Sequence, residues 1–472
     1  MSQARRMAVR LLAGLAGFVA LTLVVCLDQV DYQPYFKTDY YTNTVAQFRA
    51  VAKGTPIVTG ELQAGFGRAL LTPTLNVTAD APEQGRFRSL PLAGYGARKG
   101  RPATGVHDDV YVKAAALRVQ QQTVVLISAD ALIIPREVAA LAVARLGQEL
   151  QLRREQIYLS ATHTHASLGG WGEGWVGEAF AGGYQPGVRV WLADRMVAAA
   201  REALSDLRPA AMGQGGFAAP ESIRNRTVGQ HGRVDSEFAW VVVRQAGGRM
   251  GIIGSYGAHA TVLSSRNMEF SADYPGAWQR HVEKATGGIA IFMAGGVGSH
   301  APVAGADGFK GTELMGARLA EAVLARTEAA ALTNRVALGL VGLDVALPPE
   351  NVRLTDGLRL RPWLARQVLP VNRRTFMQGL RLQDTVWVST PCDFSGELVL
   401  TLKNEFDRRG LRVEVTSFNG DYIGYVISSR YYHLDGYEPR LMSFFGPNVP
   451  EYLSDLIGRI VEVLGGPVGA TF

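Results

Sequence analysis

Ser160-Ala161-Thr162-His163-Thr164-His165-Ala166-Ser167-Leu168-Gly169-Gly170 follows directly on the short apolar run Ile157-Tyr158-Leu159. A β-branched and aromatic run of this kind reads as a buried strand, here ending in a glycine turn. In an extended segment, side chains two apart share a face, so His163 and His165 are expected to point the same way. Two imidazoles side by side at a strand end suit a metal ion or a polarised carbonyl. The plain alternative is a pair of hydrogen-bonded histidines at a loop mouth.

The same arrangement recurs along the chain. Ile252-Ile253-Gly254-Ser255-Tyr256 runs into Gly257-Ala258-His259, and Ile291-Phe292-Met293 into Gly295-Gly296-Val297-Gly298-Ser299-His300. Val386-Trp387-Val388 runs into Thr390-Pro391-Cys392-Asp393, and Val413-Glu414-Val415 into Asn419-Gly420-Asp421-Tyr422. Open α/β sheets bind ligands beyond the carboxyl ends of their strands, where glycine turns and helix N-termini gather. Five strand ends carrying such residues point to one shared site. Each residue has an ordinary reading beside this one. Asp393 suits a helix N-cap, His259 a satisfied core histidine, Arg226 a surface ion pair and Tyr425 simple packing.

The rest of the chain supports an α/β class, with mixed sheets flanked by helices and the site at the strand ends. Strands are expected at 111–119, 123–130, 237–244, 251–256, 289–293 and 336–347. Apolar spacing places helices at 135–150, 188–207, 274–285 and 308–326. Of 472 residues, 47% are apolar and 19% charged, enough for a large core and against global disorder. The net charge of +6 is spread out, with no basic helical face carrying interleaved aromatics. That argues against nucleic acid as a partner and favours an anionic membrane surface.

Arg5, Arg6 and Arg10 precede 17 uncharged residues, Leu11 to Leu27, the pattern of a signal peptide or signal anchor over residues 1–27. The run is at the short limit for spanning a bilayer and no A-x-A cleavage site follows it. An uncleaved anchor is therefore preferred, with the body outside the cytoplasm (the periplasm in a bacterium), or secreted if the N-terminus is cleaved. The two cysteines, Cys26 and Cys392, offer no intramolecular disulfide if Cys26 lies in the membrane. Residues 28–59, polar and rich in tyrosine, read as a tether, and 60–472 as one integrated domain.

In this order the segments resemble the N-terminal catalytic domain of the neutral/alkaline non-lysosomal ceramidases. Leu92-Ala93-Gly94-Tyr95-Gly96-Ala97 and Gly105-Val106-His107 are similar to that family's opening signature, Ser160 to Gly170 to its histidine motif, and Val413 to Pro447 to its tyrosine-rich end. The resemblance implies a zinc amidase that hydrolyses the amide of ceramide. It assigns the Zn2+ ligands to His163, His259, Asp393 (where the family has glutamate) and Tyr425. It makes His165 a substrate-facing residue with Arg226 as its companion. Such a ligand set leaves zinc able to bind water and lower its pKa toward neutrality.

Three departures stand out. Aspartate at 393 shortens the ligand arm by one methylene, so the ion must shift, bind less tightly or recruit Glu397. The family's active-site serine falls on Ala301, with Ser299 and His300 as conceivable substitutes. The resemblance runs to about residue 460, so the family's C-terminal immunoglobulin-like domain is expected to lack a counterpart within these 472 residues. The sequence thus supports a zinc hydrolase using metal-activated water on a ceramide-like lipid amide. It leaves open a zinc hydrolase of another amide or ester, and a non-catalytic lipid-binding or envelope protein that retains the fold. His107 and Asp130, beside strand ends, are candidates to orient a ligand imidazole.

Overall fold

The computed structural model describes residues 3–369 and 371–466. Its centre is a mixed sheet of 12 strands. One path through it runs Ile289–Ala294, Met250–Tyr256, Glu237–Gln245, Arg208–Ala218, Ile57–Leu70, Arg335–Ala346, Arg374–Leu382, Thr385–Ser389 and Arg412–Thr416. The strand Ile57–Leu70 is long enough to branch. Residues 57–61 pair with 335–339, while 62–70 pair with 111–119, beyond which lie 122–129 and 157–161.

Most neighbours are antiparallel, but three pairs are parallel: 122–129 with 157–161, 250–256 with 289–294, and 385–389 with 412–416. Most of these strands are near-continuous apolar runs buried on both faces, as parallel strands require, while 412–416 alternates and buries Glu414 against Lys403. Side chains lace their carboxyl ends together. Ser128 Oγ donates to the Phe292 carbonyl at 2.5 Å, Ser417 Oγ to the Gly295 carbonyl at 2.7 Å, and the Asn419 side-chain amide to the Leu159 carbonyl. Tyr158 and Thr416 share a hydroxyl–hydroxyl bond of 2.6 Å. Three strand-end clusters are thereby drawn to one place.

Between the arms of the sheet lies an inner cluster that includes Leu117, Leu126, Ile253, Ile291, Leu338 and Trp387. The outer faces are covered by helices in three groups: Arg136–Leu150 with Pro186–Ser205, Asp273–Thr286 with Gly308–Glu328, and Asp39–Ala52 with Gly396–Asp407 and Val449–Gly465. The last helix buries Tyr452, Leu453, Leu456, Ile457, Ile460, Val461 and Leu464, the three-and-four spacing of a wide apolar stripe. The class is α/β with mixed sheets flanked by helices, as the strand and helix pattern led one to expect.

Residues 28–59, read from composition as a tether lying on the body, pack against it with a helix and the start of a strand. Asp39–Ala52 is a helix whose Val45, Phe48 and Ala52 are buried in the same cluster as Val449–Gly465. Tyr35, Tyr40 and Tyr41 pack around Tyr452 at ring separations of 5.1 to 6.1 Å, and Ile57 opens the 14-residue branching strand. These tyrosines pack their rings together, and their hydroxyls find protein partners: Tyr41 accepts from Arg459 Nη2 at 2.8 Å and Tyr452 donates to the Ala346 carbonyl at 2.8 Å. Ahead of them, Gln3–Cys26 is a helix of 24 residues with exposed side chains such as Leu11 and Phe18. Among the described residues, no helix is long and apolar enough to cross a membrane. The helix leads into Leu27–Gln29, which pairs antiparallel with Leu358–Leu360.

Candidate active site

His163 lies two residues beyond the strand 157–161, His259 three beyond 250–256, and Asp393 four beyond 385–389. Their side chains meet. The Nε2 atoms of His163 and His259 are 2.8 Å apart, and His165 Nε2 is 3.3 Å and 3.2 Å from those two. Asp393 Oδ1 is 3.5 Å from His163 Nε2 and 3.9 Å from His259 Nδ1.

The backbone reaches this arrangement by a route the sequence did not reveal. The strand stops at Ala161, and His163 takes a left-handed φ of 63°. His163 and His165 therefore converge through a turn, not through extended alternation. Such a conformation costs a non-glycine residue free energy and persists only where its surroundings hold it. Here the His163 Nδ1–H donates to the Leu132 carbonyl at 2.6 Å, and its ring stacks on Phe418 at 3.9 Å. His165 leans on Tyr95, with ring centres 4.7 Å apart, and covers Gly94. At Gly94 φ is 105° and a Cβ would stand 2.5 Å from His165 Nδ1, so only glycine fits.

Burial keeps all three imidazoles neutral: the pKa of His163 is pushed down to about 3, and those of His165 and His259 fall well below the ordinary value. With Nδ1–H of His163 given to a carbonyl, its Nε2 presents a lone pair to its neighbours. Asp393 Oδ1 is buried among them with no hydrogen-bond partner. Lone pairs crowded together beside an orphaned carboxylate oxygen call for a cation. Ligand atoms of a tetrahedral ion with bonds near 2.05 Å stand about 3.3 Å apart. Asp393 Oδ1 and His163 Nε2, at 3.5 Å, are close to that, and the two imidazole Nε2 atoms of His163 and His259, at 2.8 Å, are nearer together. The buried three-histidine group with Asp393 therefore fits a metal centre.

Around it the structure gives the expected Arg226 and Tyr425 their partners, and adds Glu438, which the sequence reading passed over. Tyr422 donates its hydroxyl to Asp393 Oδ2 at 2.7 Å. Arg226 Nη2 donates to the Tyr425 hydroxyl at 3.0 Å, while Arg226 Nε meets Glu438 Oε1 at 2.7 Å. Burial alone would lower the pKa of Arg226, but Tyr425 and Glu438 outweigh it and keep the guanidinium charged. Burial, and then the tyrosine's contact with Asp393, raise the pKa of Tyr425, so it stays a protonated phenol. The pKa of Asp393 is pushed up to about 7 by burial, against the pull of Tyr422.

Other expected participants are engaged elsewhere. Ser299 Oγ is 3.0 Å from Ser395 Oγ, in the cap of Gly396–Asp407, and Ala301 lies in the strand His300–Pro302 opposite Arg224. Glu397, conceivable as a reserve ligand, is occupied by Arg430 at 2.9 Å and the Arg233 N–H at 2.6 Å. His107 stacks on Phe309, and Asp130 accepts from the Tyr111 N–H and from Gln279. Their hydrogen bonds and stacking are made away from the three imidazoles, so the expected orienting role does not apply.

The histidines open into a cavity of about 450 Å³. Leu132, Ile133, Trp171, Phe180, Leu369 and Phe444 give it apolar walls, and Arg136, Glu137, Glu173 and Arg189 stand in its lining as charged groups. Arg136 pairs with Asp421 at 3.3 Å and Arg189 with Glu173 at 3.4 Å.

Fold and site together define an α/β protein whose strand ends hold a buried metal-type centre at the floor of an apolar pocket. Residues 82–302 match the model of the neutral/alkaline non-lysosomal ceramidase family, N-terminal part. The match takes in His163, His165, Arg226 and His259 and ends before Asp393 and Tyr425. The fold is similar to that of neutral ceramidase from Pseudomonas aeruginosa and to a structure described as ceramidase complexed with C2. Each has a TM-score of 0.69 and 17% identity, over 87% of this chain and 76% of the other. At that identity the likeness is one of fold. No curated protein sequence gives a significant match.

Proposed function

We propose that the chain is a zinc-dependent hydrolase that cleaves the amide bond of a ceramide-like lipid with an activated water. The observation carrying this reading is the unpaired Asp393 Oδ1 beside converging imidazole Nε2 atoms at the base of an apolar pocket. The ceramidase family match over 82–302 and the ceramidase fold support the substrate class.

His163, His259 and Asp393 would hold the ion. Metal-binding imidazoles nearly always give their other N–H to a carbonyl or carboxylate. His163 does so with Leu132 at 2.6 Å and His259 more loosely with Val297 at 3.4 Å, while His165 Nδ1 has no partner. His165 is accordingly the substrate-facing imidazole, and Tyr425 stands beside the ligands. A bound zinc ion would supply Lewis acidity and a water acidic enough to attack near neutral pH. No serine, threonine or cysteine is among the described residues lining the pocket, which supports water as the attacking group in place of a serine acyl-enzyme. Tyr425 accepts from Arg226 and keeps its own proton to give to the carbonyl oxygen as charge develops there. The apolar walls would take the acyl chain and exclude bulk water.

The N-terminal helix Gln3–Cys26, with its exposed apolar stretch, would associate the protein with a membrane outside the cytoplasm. The test is metal analysis of the purified full chain, with fatty acid release from ceramide followed by mass spectrometry. Zinc near one equivalent, loss of metal in His163→Ala, and retained metal with lost turnover in His165→Ala are expected. A protein free of metal and inactive on every N-acyl lipid and ester tried would leave a lipid-binding role.

A further inference from the structure

The corner where the N-terminal helix leaves the body is also the lip of the pocket. Arg361 ties the two together, its N–H donating to the Cys26 carbonyl at 2.8 Å and its Nε to the Val24 carbonyl at 3.0 Å. Beside it, Arg440 Nη2 donates to the Leu354 carbonyl at 2.7 Å, and Arg353 Nη2 to the Leu434 carbonyl at 3.2 Å. Segments 353–361 and 432–441 therefore form one surface with the helix exit. From this surface the chain enters the pocket directly. Leu369 and Val371, just after the helix Pro362–Val368, line it, as does Tyr437.

That surface carries large apolar side chains in the open: Trp363 is 53% exposed, Leu441 68%, Leu434 41%, and Leu354 and Leu358 each 40%. On the opposite lip, the short helix Gly174–Ala181 lines the pocket with Val176 and Phe180 and exposes Trp175 at 67%. Residues 353–374 also hold six arginines. Asp356 faces Arg353, Asp28 faces Arg359 and Glu350 takes Arg366 and Arg373, so the basic surplus among the described ion pairs rests on Arg361 and Arg374. Exposed apolar groups clustered at a pocket mouth are uncommon on a soluble surface. Tryptophan, leucine and arginine together suit the boundary between lipid headgroups and acyl chains.

We infer that this corner of the body docks onto a phospholipid bilayer, with Trp363 and Leu441 inserted, so that the pocket opens toward the membrane. Three features select a bilayer as the occupant: the patch continues into the exposed apolar helix Gln3–Cys26, its basic charge complements anionic headgroups, and it borders an apolar cavity. The N-terminal helix gives attachment, and the docked corner gives orientation. The inference goes beyond the hydrolase reading, because its main readout needs no turnover.

The test uses the full chain with phosphatidylcholine vesicles, with and without phosphatidylglycerol, prepared from brominated lipid. Of seven tryptophans, Trp171, Trp191, Trp240, Trp278 and Trp387 are buried, so vesicle quenching reports on Trp175 and Trp363. Quenching that is stronger with phosphatidylglycerol and falls by at least half in Trp363→Phe is expected. Leu354→Glu with Leu441→Glu should remove the Trp363 signal while vesicles still pull the chain down through its N-terminal helix. The same double variant should act on lipid in vesicles about tenfold more slowly, with a short soluble N-acyl substrate unaffected. Pull-down without quenching of either tryptophan would mean that the helix alone attaches the protein, and would overturn the inference. So would a concentration-dependent dimer in lipid-free buffer that Leu441→Glu converts to monomer, since a second copy would then own the patch. If quenching appears but no lipid is hydrolysed, the hydrolase reading fails and the docking surface stands.

Discussion

Asp393 is the residue on which the centre turns, because its two oxygens have different duties. Oδ2 takes the Tyr422 hydroxyl, and Oδ1 faces the imidazoles with nothing bound to it. Tyr422→Phe removes the group that orients the carboxylate and leaves the ring in place. Loss of such a supporting hydrogen bond typically costs 10- to 100-fold in metal affinity. A weakening of about that size, measured by competition with a chromophoric chelator at unchanged melting temperature, is expected. Unaltered affinity would remove Asp393 from the ligand set. The histidines and Asp393 were legible because imidazoles and a carboxylate at strand ends are rare and chemically specific. Phe418 and Glu438 were not, and Tyr422 was legible only as a member of a strand-end cluster, without its role. An aromatic residue in an apolar run reads as packing, and Glu438 finds Arg226 across more than two hundred residues of sequence.

At the scale of elements, segments with a strong apolar period were readable to within a few residues, such as the strand Tyr111–Val119 and the helix Arg136–Leu150. Asp39–Ala52 was not, since only Val45, Phe48 and Ala52 mark its inner face and tyrosines supply the rest. Its place in the core can be measured. Phe48→Ala should cost about 3–5 kcal/mol in urea unfolding, as deletion of a buried aromatic does. A tether residue would change stability by less than about 0.5 kcal/mol. Glu350 offers a second measurement, at the segment joining this helix's cluster to the pocket lip. Its side chain is 1% exposed and is held by Arg366 and Arg373, each at 3.0 Å. Burial alone would raise its pKa, but the hydrogen bonds from the arginines outweigh it and hold the carboxyl below its ordinary 4.5. A pKa depressed in the folded state stabilises above the unfolded value and ceases to do so as pH falls through the folded one. Glu350→Gln should therefore destabilise at neutral pH, by roughly 1–3 kcal/mol. The gap from the unaltered chain should close as pH falls below about 4.5. A gap independent of pH would mean that the carboxylate's charge contributes nothing.

For the whole molecule, the notable feature is where the centre's donors come from. His163 follows a strand pair packed in one outer cluster, His259 a pair packed in another, and Asp393 a pair packed in the third. An ion held by all three would cross-link regions of the fold far apart in sequence. A ligand that binds only the folded state stabilises it by mass action, by about 4 kcal/mol at a thousandfold excess over its dissociation constant. Removing the metal should therefore lower the melting temperature of the full chain by several degrees, and adding zinc back should restore it. His163→Ala is the control. Without that ligand the chain should melt near the temperature of the chelated protein and should not respond to chelator. Stability unmoved by chelator in the unaltered chain would argue that the imidazoles form a hydrogen-bonded cluster of their own. Equal chelator responses in both chains would place the bound metal elsewhere.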